Sequence, residues 1–187
     1  MENQINFIQI EKDNEEHFKI ASKLWVPFIC EVNEHDGTYQ DEEQIIDGLK
    51  KRISIQGCRK DMHFEIAAVN GEPFGIAMFA IDLGTVYGLL EKGYGTIMGF
   101  YIRPNFRRKG LGTILSRHIE TVLYNDGASN MYICPDAVTG EPFWKANGYN
   151  NSGKIDPDDK KPIYIKEISV SVDWSATSNR PYASHLD

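Results

Sequence analysis

The sequence predicts a mixed α/β domain of the α+β class, whose mostly antiparallel central sheet of about seven strands has helices on both faces. Two observations indicate this fold. Apolar residues alternate in short segments and recur at helical spacing in longer ones, in the order β-α-α-β-β-β-α-β-α-β-β. Neighbouring hairpins, together with one strand–helix–strand crossover, require antiparallel and parallel pairs in the same sheet.

The N-terminal part is predicted to contain one strand followed by a helix. Ile5–Ile10 alternates as a strand does, and Asp13 with Glu16 has the spacing of a capping box that begins a helix. One face of this helix is apolar: Phe18, Ala21, Leu24, Trp25, Phe28 and Ile29. Pro27 is expected to kink or end the helix, and the polar stretch Glu31–Gly37 is expected to form a loop.

A second helix and a hairpin are predicted to follow. The helix runs from about Asp41 to Gln56 and turns four apolar residues inward: Ile45, Ile46, Leu49 and Ile53. Two strand-like runs, His63–Val69 and Phe74–Ile81, flank Asn70-Gly71, a pair that permits the positive φ angles of a tight hairpin. Gly84–Gly95 contains four glycines and predicts a loop.

The remaining elements alternate between strands and helices. Ile97–Ile102 predicts a strand, Leu111–Leu123 an amphipathic helix, and Asn130–Cys134 a short strand. Pro142–Asn147 predicts a short helix that ends at Gly148, a plausible C-terminal cap.

The end of the chain is more polar. Asn150–Lys161 is rich in turn residues, and Ile163–Val172 is the predicted last strand. Because the sequence has neither an internal repeat nor an interdomain linker, we expect one domain over residues 1–172 and a polar tail over residues 173–187.

Composition and charge narrow the class of protein. The chain is 41% hydrophobic and 25% charged, and it contains no apolar run near the roughly 18 residues that a membrane helix needs. The N-terminus lacks the basic and apolar regions of a signal peptide, so we expect a cytoplasmic protein. A net charge of −7 argues against nucleic-acid binding. It mildly favours a cationic substrate, although an acidic surface also serves solubility.

The cysteines and histidines do not predict a disulfide framework or a metal site. Three cysteines, Cys30, Cys58 and Cys134, lie far apart, and no C-x-x-C or H-x-x-x-H pair occurs.

The most informative segment is Arg107–Gly112, R-R-K-G-L-G, which lies between a predicted strand and a predicted helix. A turn of glycines and cations at this place directs free backbone N–H groups and the positive end of a helix dipole at one point, which suits a phosphate. The P-loop pattern G-x-x-x-x-G-K-[ST] is absent. Gly93–Gly99 has the wrong spacing for a dinucleotide fingerprint and leads into a strand rather than a helix.

The segment Gly99–Gly112, G-F-Y-I-R-P-N-F-R-R-K-G-L-G, resembles the acetyl-CoA motif of the GNAT superfamily of N-acetyltransferases. Phe143–Tyr149, F-W-K-A-N-G-Y, is similar to the later helix of that family, which ends in Gly-Phe or Gly-Tyr. The predicted element order matches as well, so the resemblance covers nearly all of residues 5–170. The two motifs are specific only in combination and in this order.

The resemblance implies acetyl-CoA as the cofactor. It implies that the backbone of the fourth strand pairs with the pantetheine arm and that the following turn surrounds the pyrophosphate. The implied cofactor-binding residues are Phe100, Tyr101, Ile102, Arg107, Arg108, Lys109, Gly110, Leu111, Gly112 and Thr113. The three cations are expected to add positive charge there, some of it toward the 3′-phosphate. Gly110 and Gly112 are expected to let the backbone approach the pyrophosphate.

The resemblance also implies direct attack of a substrate amine on the acetyl thioester, with a backbone N–H of the fourth strand stabilising the oxyanion. The family often protonates the departing thiolate with a Tyr four positions before the Gly of the Gly-Phe/Tyr pair, where this chain has Trp144. Trp144 is therefore expected to pack beside the pantetheine or the substrate, and the thiolate is expected to leave unassisted, through water or through another group. Candidate substitutes are Tyr101, Tyr132, Cys134 and Tyr149.

The amine must lose a proton before it attacks, so a base is expected. Candidates are Glu65 on the second predicted strand and Asp82 at the end of the third, with Glu31, Glu34, His35 and Asp36 on the first polar loop. The residues singled out as catalytic are Tyr101, Glu65, Cys134 and Trp144; for each one a structural role is the alternative.

Three functions are compatible with these features. The first is an N-acetyltransferase that uses acetyl-CoA and an amine-bearing small molecule or peptide, without nucleic acid or membrane partners and with homodimers common in the family. The second is a non-catalytic acyl-CoA-binding or sensing module on the same fold. The third is a binder of a different phosphate ligand, since fold alone does not decide function.

Overall fold

The computed structural model describes residues 4–56, 58–84, 92–158 and 160–169. In these residues it forms a seven-stranded sheet of order β1-β2-β3-β4-β5-β7-β6, antiparallel except for the parallel β4–β5 pair. The strands are β1 (Ile5–Gln9), β2 (Met62–Val69), β3 (Glu72–Ile81), β4 (Gly95–Ile102), β5 (Asn130–Ile133), β6 (Asn150–Ile155) and β7 (Pro162–Glu167). The predicted fold class and element order are confirmed.

Helices cover both faces of the sheet. They are α1 (Glu15–Asp36), α2 (Glu42–Gln56), α3 (Leu111–Asn125) and α4 (Gly140–Ala146), with a 3-10 turn over Pro104–Phe106. One core lies between the sheet and the pair α1–α2 and contains Trp25 and Phe64. The other lies beneath α3 and α4 and contains Leu115 and Trp144. Among the described helices, none combines the length and the hydropathy that a membrane span requires.

The start of α1 differs from the sequence prediction by one residue. Asn14, and not Asp13, is the N-cap, because its side-chain oxygen accepts hydrogen bonds of 3.1 Å from the backbone N–H groups of Glu16 and His17. Asp and Asn are almost equally good caps, so the sequence alone did not separate these neighbours.

Two expectations for α1 are also wrong, namely that the helix ends at Pro27 and that Glu31–Gly37 forms a loop. Pro27 lies inside the helix without ending it, and the polar stretch predicted as a loop is helical as far as Asp36. Gly37 then ends the helix in the left-handed conformation, φ 65°, and its N–H donates to the carbonyl of Asn33. The extra turns of α1 are held by polar contacts to distant segments, described below, and such tertiary contacts override local propensity.

The predicted hairpin is present. Asn70 and Gly71 join β2 to β3 with φ angles of 51° and 81°, the positive values that a tight two-residue connection requires. Of the predicted Gly84–Gly95 loop, residues 85–91 lie outside the described residues, and β4 begins at Gly95.

The C-terminal strands were only partly predicted. β6 lies in the stretch expected to consist of turns, and its residues are mostly exposed, so no apolar alternation marked it. β7 ends at Glu167, five residues before the predicted end of the last strand. Residues 170–172 and the predicted tail over residues 173–187 lie outside the described residues.

Candidate functional site

The sheet opens between β4 and β5. Within the described residues, β4 pairs with β5 only at Gly95 with Met131 and at Thr96 with Tyr132. On its other side β4 stays paired with β3 as far as Ile102. Alternate backbone groups of residues 97–102 therefore face a gap instead of a neighbouring strand, and an extended ligand can pair with such an edge.

A β-bulge lies on the wall of this gap. The β3–β4 register passes from Phe79–Ile97 to Met78–Gly99, which leaves Met98 as the extra residue of β4. A Cβ on Gly99 would lie 2.9 Å from Cη2 of Trp25, so the indole ring fills the space at the bulge from the α1 side. Bulges redirect backbone groups and are common next to active sites.

The turn that follows β4 leads directly into a helix, as predicted. Arg108 and Gly110 have φ angles of 62° and 79°, and α3 begins directly after Gly110. Because glycine has no side chain to cap the helix, the first N–H groups of α3 remain available to a ligand at the positive end of the helix dipole. Arg108 and Lys109 are exposed beside them.

Gly112 also has a packing reason to be glycine. A Cβ at this position would lie 3.1 Å from Cε2 of Phe143, so the absence of a side chain lets α3 pack closely on α4. A Cβ on Gly110 meets nothing within 4 Å, and there the positive φ is the requirement.

The side chain of Arg107 is bound within the fold. Its Nε donates to the carbonyl of Ile102 at 2.8 Å, and its Nη2 donates to Oε2 of Glu31 at 2.6 Å. The guanidinium lies 5.5 Å from the ring centre of Tyr101. Arg107 thus joins the end of β4 to α1.

The last two turns of α1 bridge both sides of the gap. On the β4 side the bridge is the contact of Glu31 with Arg107. On the β5 side His35 lies 3.3 Å from Asp136, and Asp36 accepts a 2.8 Å hydrogen bond from Lys161, just before β7. Three candidate bases of the sequence prediction, Glu31, His35 and Asp36, are therefore engaged in contacts that position α1.

Asp136 also organises the segment that leads into α4. Its carboxylate accepts hydrogen bonds from the backbone N–H groups of Val138, Thr139 and Gly140. Burial raises the pKa of Asp136, but the hydrogen bonds from Thr139 and Val138 and the nearby His35 outweigh this effect, so the net shift of the pKa is downward. The ionised form is thereby stabilised.

An aromatic cluster underlies the gap on the α3–α4 side. Trp144 is only 3% exposed and makes edge-on contacts with Phe100 at 4.9 Å, Phe143 at 4.9 Å and Tyr149 at 5.1 Å. Phe100 belongs to β4 and the other rings to α4 and the residues after it, so the cluster joins the two sides of the gap. The position at which the family often has a Tyr is therefore a packed core position here.

The tyrosine candidates occupy three separate environments. Burial raises the pKa of Tyr101, Arg107 opposes this shift and Glu31 adds to it, and the net shift is upward. Tyr132 donates a 3.0 Å hydrogen bond to the buried carboxylate of Asp82, which is also a candidate base.

Tyr149 is buried next to Met131. Burial, and to a smaller extent the negative charge of Glu120, raises the pKa of Tyr149 well above its usual value. Tyrosines with raised pKa values are weak proton donors at neutral pH.

Cys134 and Glu65 lie in different parts of the fold. Cys134 is half-buried and follows β5 directly, beyond the last residue that pairs with β4. Glu65 is in register with Ala77 of β3 and Phe100 of β4, which puts it two strand spacings, about 10 Å, from β4. It is covered by α3, from which His118 Nε2 hydrogen-bonds to Glu65 Oε2 at 2.6 Å.

Sequence reasoning did not anticipate the polar cluster around Glu65. His63 lies 4.0 Å from Glu65 and 2.7 Å from Asp126, and the ring of His118 stacks on Phe7 at 3.7 Å. The sequence spacing of these residues carries no signal, because β1, β2 and α3 bring them together only in the folded chain.

Comparisons with known proteins agree with this geometry. The model of the acetyltransferase (GNAT) family matches residues 19–149. No curated protein gave a significant match. An acetyltransferase from Thermus thermophilus has a similar structure, with a TM-score of 0.68, 13% sequence identity, and coverage of 88% of this chain and 97% of that chain.

Two further solved structures have the same fold. The PaiA N-acetyltransferase from Thermoplasma acidophilum, in complex with coenzyme A, has a TM-score of 0.64 and 15% identity, covering 88% of this chain and 99% of that one. The ribosomal-protein-S18-alanine N-acetyltransferase from Escherichia coli has a TM-score of 0.58 and 13% identity, covering 91% of this chain and 97% of that one. Identities this low establish the fold alone.

The chain belongs to the GNAT acetyltransferase family, because the family model matches well over half of its residues. The resemblance found in the sequence is thereby confirmed. Membership of this family also identifies acetyl-CoA as the cofactor, as predicted.

Proposed function

We propose that the protein is an N-acetyltransferase that transfers the acetyl group of acetyl-CoA directly to a primary amine of a small molecule or peptide. The observation that carries this proposal is the parting of β4 from β5 immediately before a glycine turn and the uncapped N-terminus of α3. An unpaired strand edge suits the amide-containing arm of a ligand, and the turn that directly follows it suits a pyrophosphate.

The cofactor-binding residues follow from this arrangement. The backbone of Phe100, Tyr101 and Ile102 pairs with the pantetheine arm. The N–H groups from Arg108 to Thr113, which include those of Lys109, Gly110, Leu111 and Gly112, surround the pyrophosphate. Arg108 and Lys109 supply positive charge from exposed positions, whereas Arg107 acts through its contacts with Ile102 and Glu31.

The reaction needs two things from the protein. The amine must reach the thioester carbonyl in its neutral form, and the negative charge that develops on the carbonyl oxygen needs a donor. The backbone at the Met98–Gly99 bulge is our candidate for that donor, because it lies on the edge of β4 that faces the gap. The bond to sulfur then breaks, and the proton that the attacking nitrogen loses as the amide forms passes to the departing thiolate, directly or through water.

We retain two of the four predicted catalytic residues as candidates. Tyr101 on β4 and Cys134 after β5 belong to opposite sides of the gap. We assign Glu65 and Trp144 structural roles, because Glu65 is hydrogen-bonded to His118 beneath α3 and Trp144 is enclosed by three aromatic rings.

A thiol-release assay tests the proposal. The protein is incubated with acetyl-CoA and, in turn, with polyamines, amino acids, aminoglycosides and peptides, and acetylated product is identified by mass spectrometry. Amine-dependent release of coenzyme A with a matching acetylated product supports an N-acetyltransferase. Saturable binding of acetyl-CoA without turnover on the whole panel would instead support a sensing module, which the core packing of Trp144 allows.

A further inference from the structure

A buried aspartate and a buried tyrosine meet at the closed end of the β4–β5 gap, where the two strands still pair. The hydroxyl of Tyr132 donates a 3.0 Å hydrogen bond to Oδ2 of Asp82, and Oδ1 accepts a 2.6 Å bond from the backbone N–H of Gly84. Both Asp82 and Tyr132 are only 1% exposed. A buried carboxylate costs stability unless it is well paired, so these two donors help to hold Asp82 in place.

The register of the sheet places this pair at the point where the gap opens. Tyr132 is paired with Thr96, which is the last β4 residue to pair with β5 within the described residues, and Thr96 is paired with Ala80 of β3. Asp82 lies two residues after Ala80 and still bonds to the backbone of Tyr94, so its side chain is on the same face as that of Ala80. The side chain of Tyr132 therefore crosses β4 above Thr96.

The pair lies on the face of the sheet that α1 and α2 cover. Met131 and Ile133, the neighbours of Tyr132 in β5, belong to the core beneath α3 and α4, and side chains alternate along a strand. On the α3–α4 face the gap is underlain by the aromatic rings around Trp144. The face on which the pair lies is thus the one from which an amine can approach a thioester in the gap.

The pair is close to the place of the reacting carbonyl. Our candidate for the oxyanion donor is the bulge at Met98 and Gly99, and Met98 is two residues, or about 7 Å, from Thr96 along the strand. A hydroxyl and at most one water molecule carry a proton over such a distance.

Asp82 differs from the other carboxylates at the gap in the kind of group that it binds. Three carboxylates at the mouth of the gap contact basic side chains: Glu31 contacts Arg107, Asp36 contacts Lys161, and Asp136 contacts His35. Beside Asp82, Arg59 donates to the carbonyl of Ile81 and to Asp61. The partner of Asp82 across the gap is a hydroxyl, which can accept one proton while it donates another.

We propose that Tyr132 and Asp82 form the proton relay that deprotonates the acceptor amine. The ammonium group donates a proton to the Tyr132 oxygen as the Tyr132 proton passes to Asp82. The neutral nitrogen then forms the C–N bond as the C–S bond breaks, and its second proton goes to the departing thiolate. Asp82 returns the first proton to solvent. Tyr132 is the catalytic residue and Asp82 the positioning residue, and the inference rests on the proposed acetyltransferase function.

The test measures kcat/KM for the fastest acceptor of the thiol-release panel over the two pH units below the pKa of that amine. The variants are Tyr132→Phe, which keeps the ring, and Asp82→Asn, which keeps the shape of the side chain. Tyr164→Phe is the matched control, because Tyr164 is also buried but belongs to the core beneath α3 and α4. Circular dichroism and titration with acetyl-CoA verify that each variant is folded.

We expect the kcat/KM of the parent to be nearly constant over this range, because the relay takes the proton from the ammonium form. Each variant should depend on amine that is already neutral, so its kcat/KM should rise about tenfold per pH unit from a value about 100-fold below that of the parent. The KM for acetyl-CoA should stay within about twofold of the parent value, and Tyr164→Phe should behave as the parent.

Three results would overturn the inference while the proposed function stands. One is a parent profile that itself rises tenfold per pH unit. Another is a loss in the variants by the same factor at every pH, or no loss, as a purely structural pair would give. The third is the altered profile in Tyr101→Phe but not in Tyr132→Phe, since Tyr101 lies on the same face. Failure of the proposed function is distinct, because then no amine releases coenzyme A.

Discussion

Glu31 on α1 accepts a 2.6 Å hydrogen bond from Nη2 of Arg107, which lies 76 positions later in the chain. Arg107 belongs to the turn between β4 and α3, which we call the cofactor turn. The same guanidinium donates through Nε to the carbonyl of Ile102, the last residue of β4. One side chain thereby fixes the helix, the strand end and the turn relative to one another. The contact is made by the part of α1 that lies beyond Pro27.

Replacement of Glu31 by Gln should weaken acetyl-CoA binding without abolishing catalysis. The contact is partly exposed, with side-chain exposures of 34% for Arg107 and 26% for Glu31, so its loss should cost about 1 kcal/mol or less. We expect the KM for acetyl-CoA to rise up to about fivefold, with kcat within about twofold of the parent value. Steady-state kinetics at saturating amine measure both constants. Glu34→Gln, an exposed neighbour on the same helix, is the control and should leave both unchanged.

Replacement of Trp144 by Tyr should leave the enzyme active. The indole lies among Phe100, Phe143 and Tyr149, and a phenol ring retains most of this aromatic packing. The kcat should stay within about threefold of the parent, or rise if the hydroxyl protonates the departing thiolate. Trp144→Ala should instead destabilise the fold by about 3–5 kcal/mol. A folded Trp144→Tyr variant that binds acetyl-CoA but has no activity would mean that the indole itself has a specific role.

Gly99→Ala should destabilise the protein, because the new methyl group would lie 2.9 Å from the ring of Trp25 behind the bulge. Overpacking of this kind costs about 1–3 kcal/mol. Chemical denaturation monitored by circular dichroism measures the free energy of unfolding. The control is Gly48→Ala in α2, where the neighbour is the flexible end of Arg52. That change should raise stability by up to about 1 kcal/mol through helix propensity, and equal effects of the two substitutions would contradict the account.

Asp136→Asn should destabilise the protein in a pH-dependent manner. The pKa of Asp136 is lower in the folded state than in the unfolded state, so its carboxylate contributes stability above the unfolded pKa, and this contribution is lost as pH falls through the folded pKa. We expect the parent to be more stable than the variant by about 1 kcal/mol at about pH 6. The difference should shrink below about pH 4, near the usual pKa of an aspartate. Unfolding curves over this pH range measure it, and a difference that grows toward acid would contradict the assignment.

The elements with regular apolar patterns could be predicted from the sequence. The β2–β3 hairpin followed from Asn70-Gly71, and α3 followed from apolar spacing after a glycine turn. The predicted order has two strands after the last helix, but the position of the first of them, β6, could not be predicted, because its residues are mostly exposed and polar and its pairing with β7 is irregular. The polar end of α1 was misassigned for a related reason, since its helical conformation depends on partners that are distant in the sequence.

The cofactor turn could be located from its glycines and cations, but the roles of individual side chains could not. Arg107 stands beside Arg108 and Lys109 in the sequence, yet its guanidinium is directed to Glu31, whereas the other two are exposed. Glu65 was a reasonable candidate base as a carboxylate on a strand, and only the folded chain reveals His118 beside it. A sequence pattern identifies the residue types at a site, whereas the packing of helices on the sheet decides where each side chain extends.

Titration calorimetry with acetyl-CoA tests the central claim most directly. The parent and a Gly110→Asp variant are compared, because a carboxylate at this position competes for the N–H groups of α3 and repels the pyrophosphate. Gly127→Asp is the control, a positive-φ glycine without neighbours at the other end of α3. We predict that the parent and the control bind acetyl-CoA with equal affinity, and that Gly110→Asp, while folded, binds at least about tenfold more weakly. Unchanged affinity in Gly110→Asp, or no binding by the parent, would contradict the account.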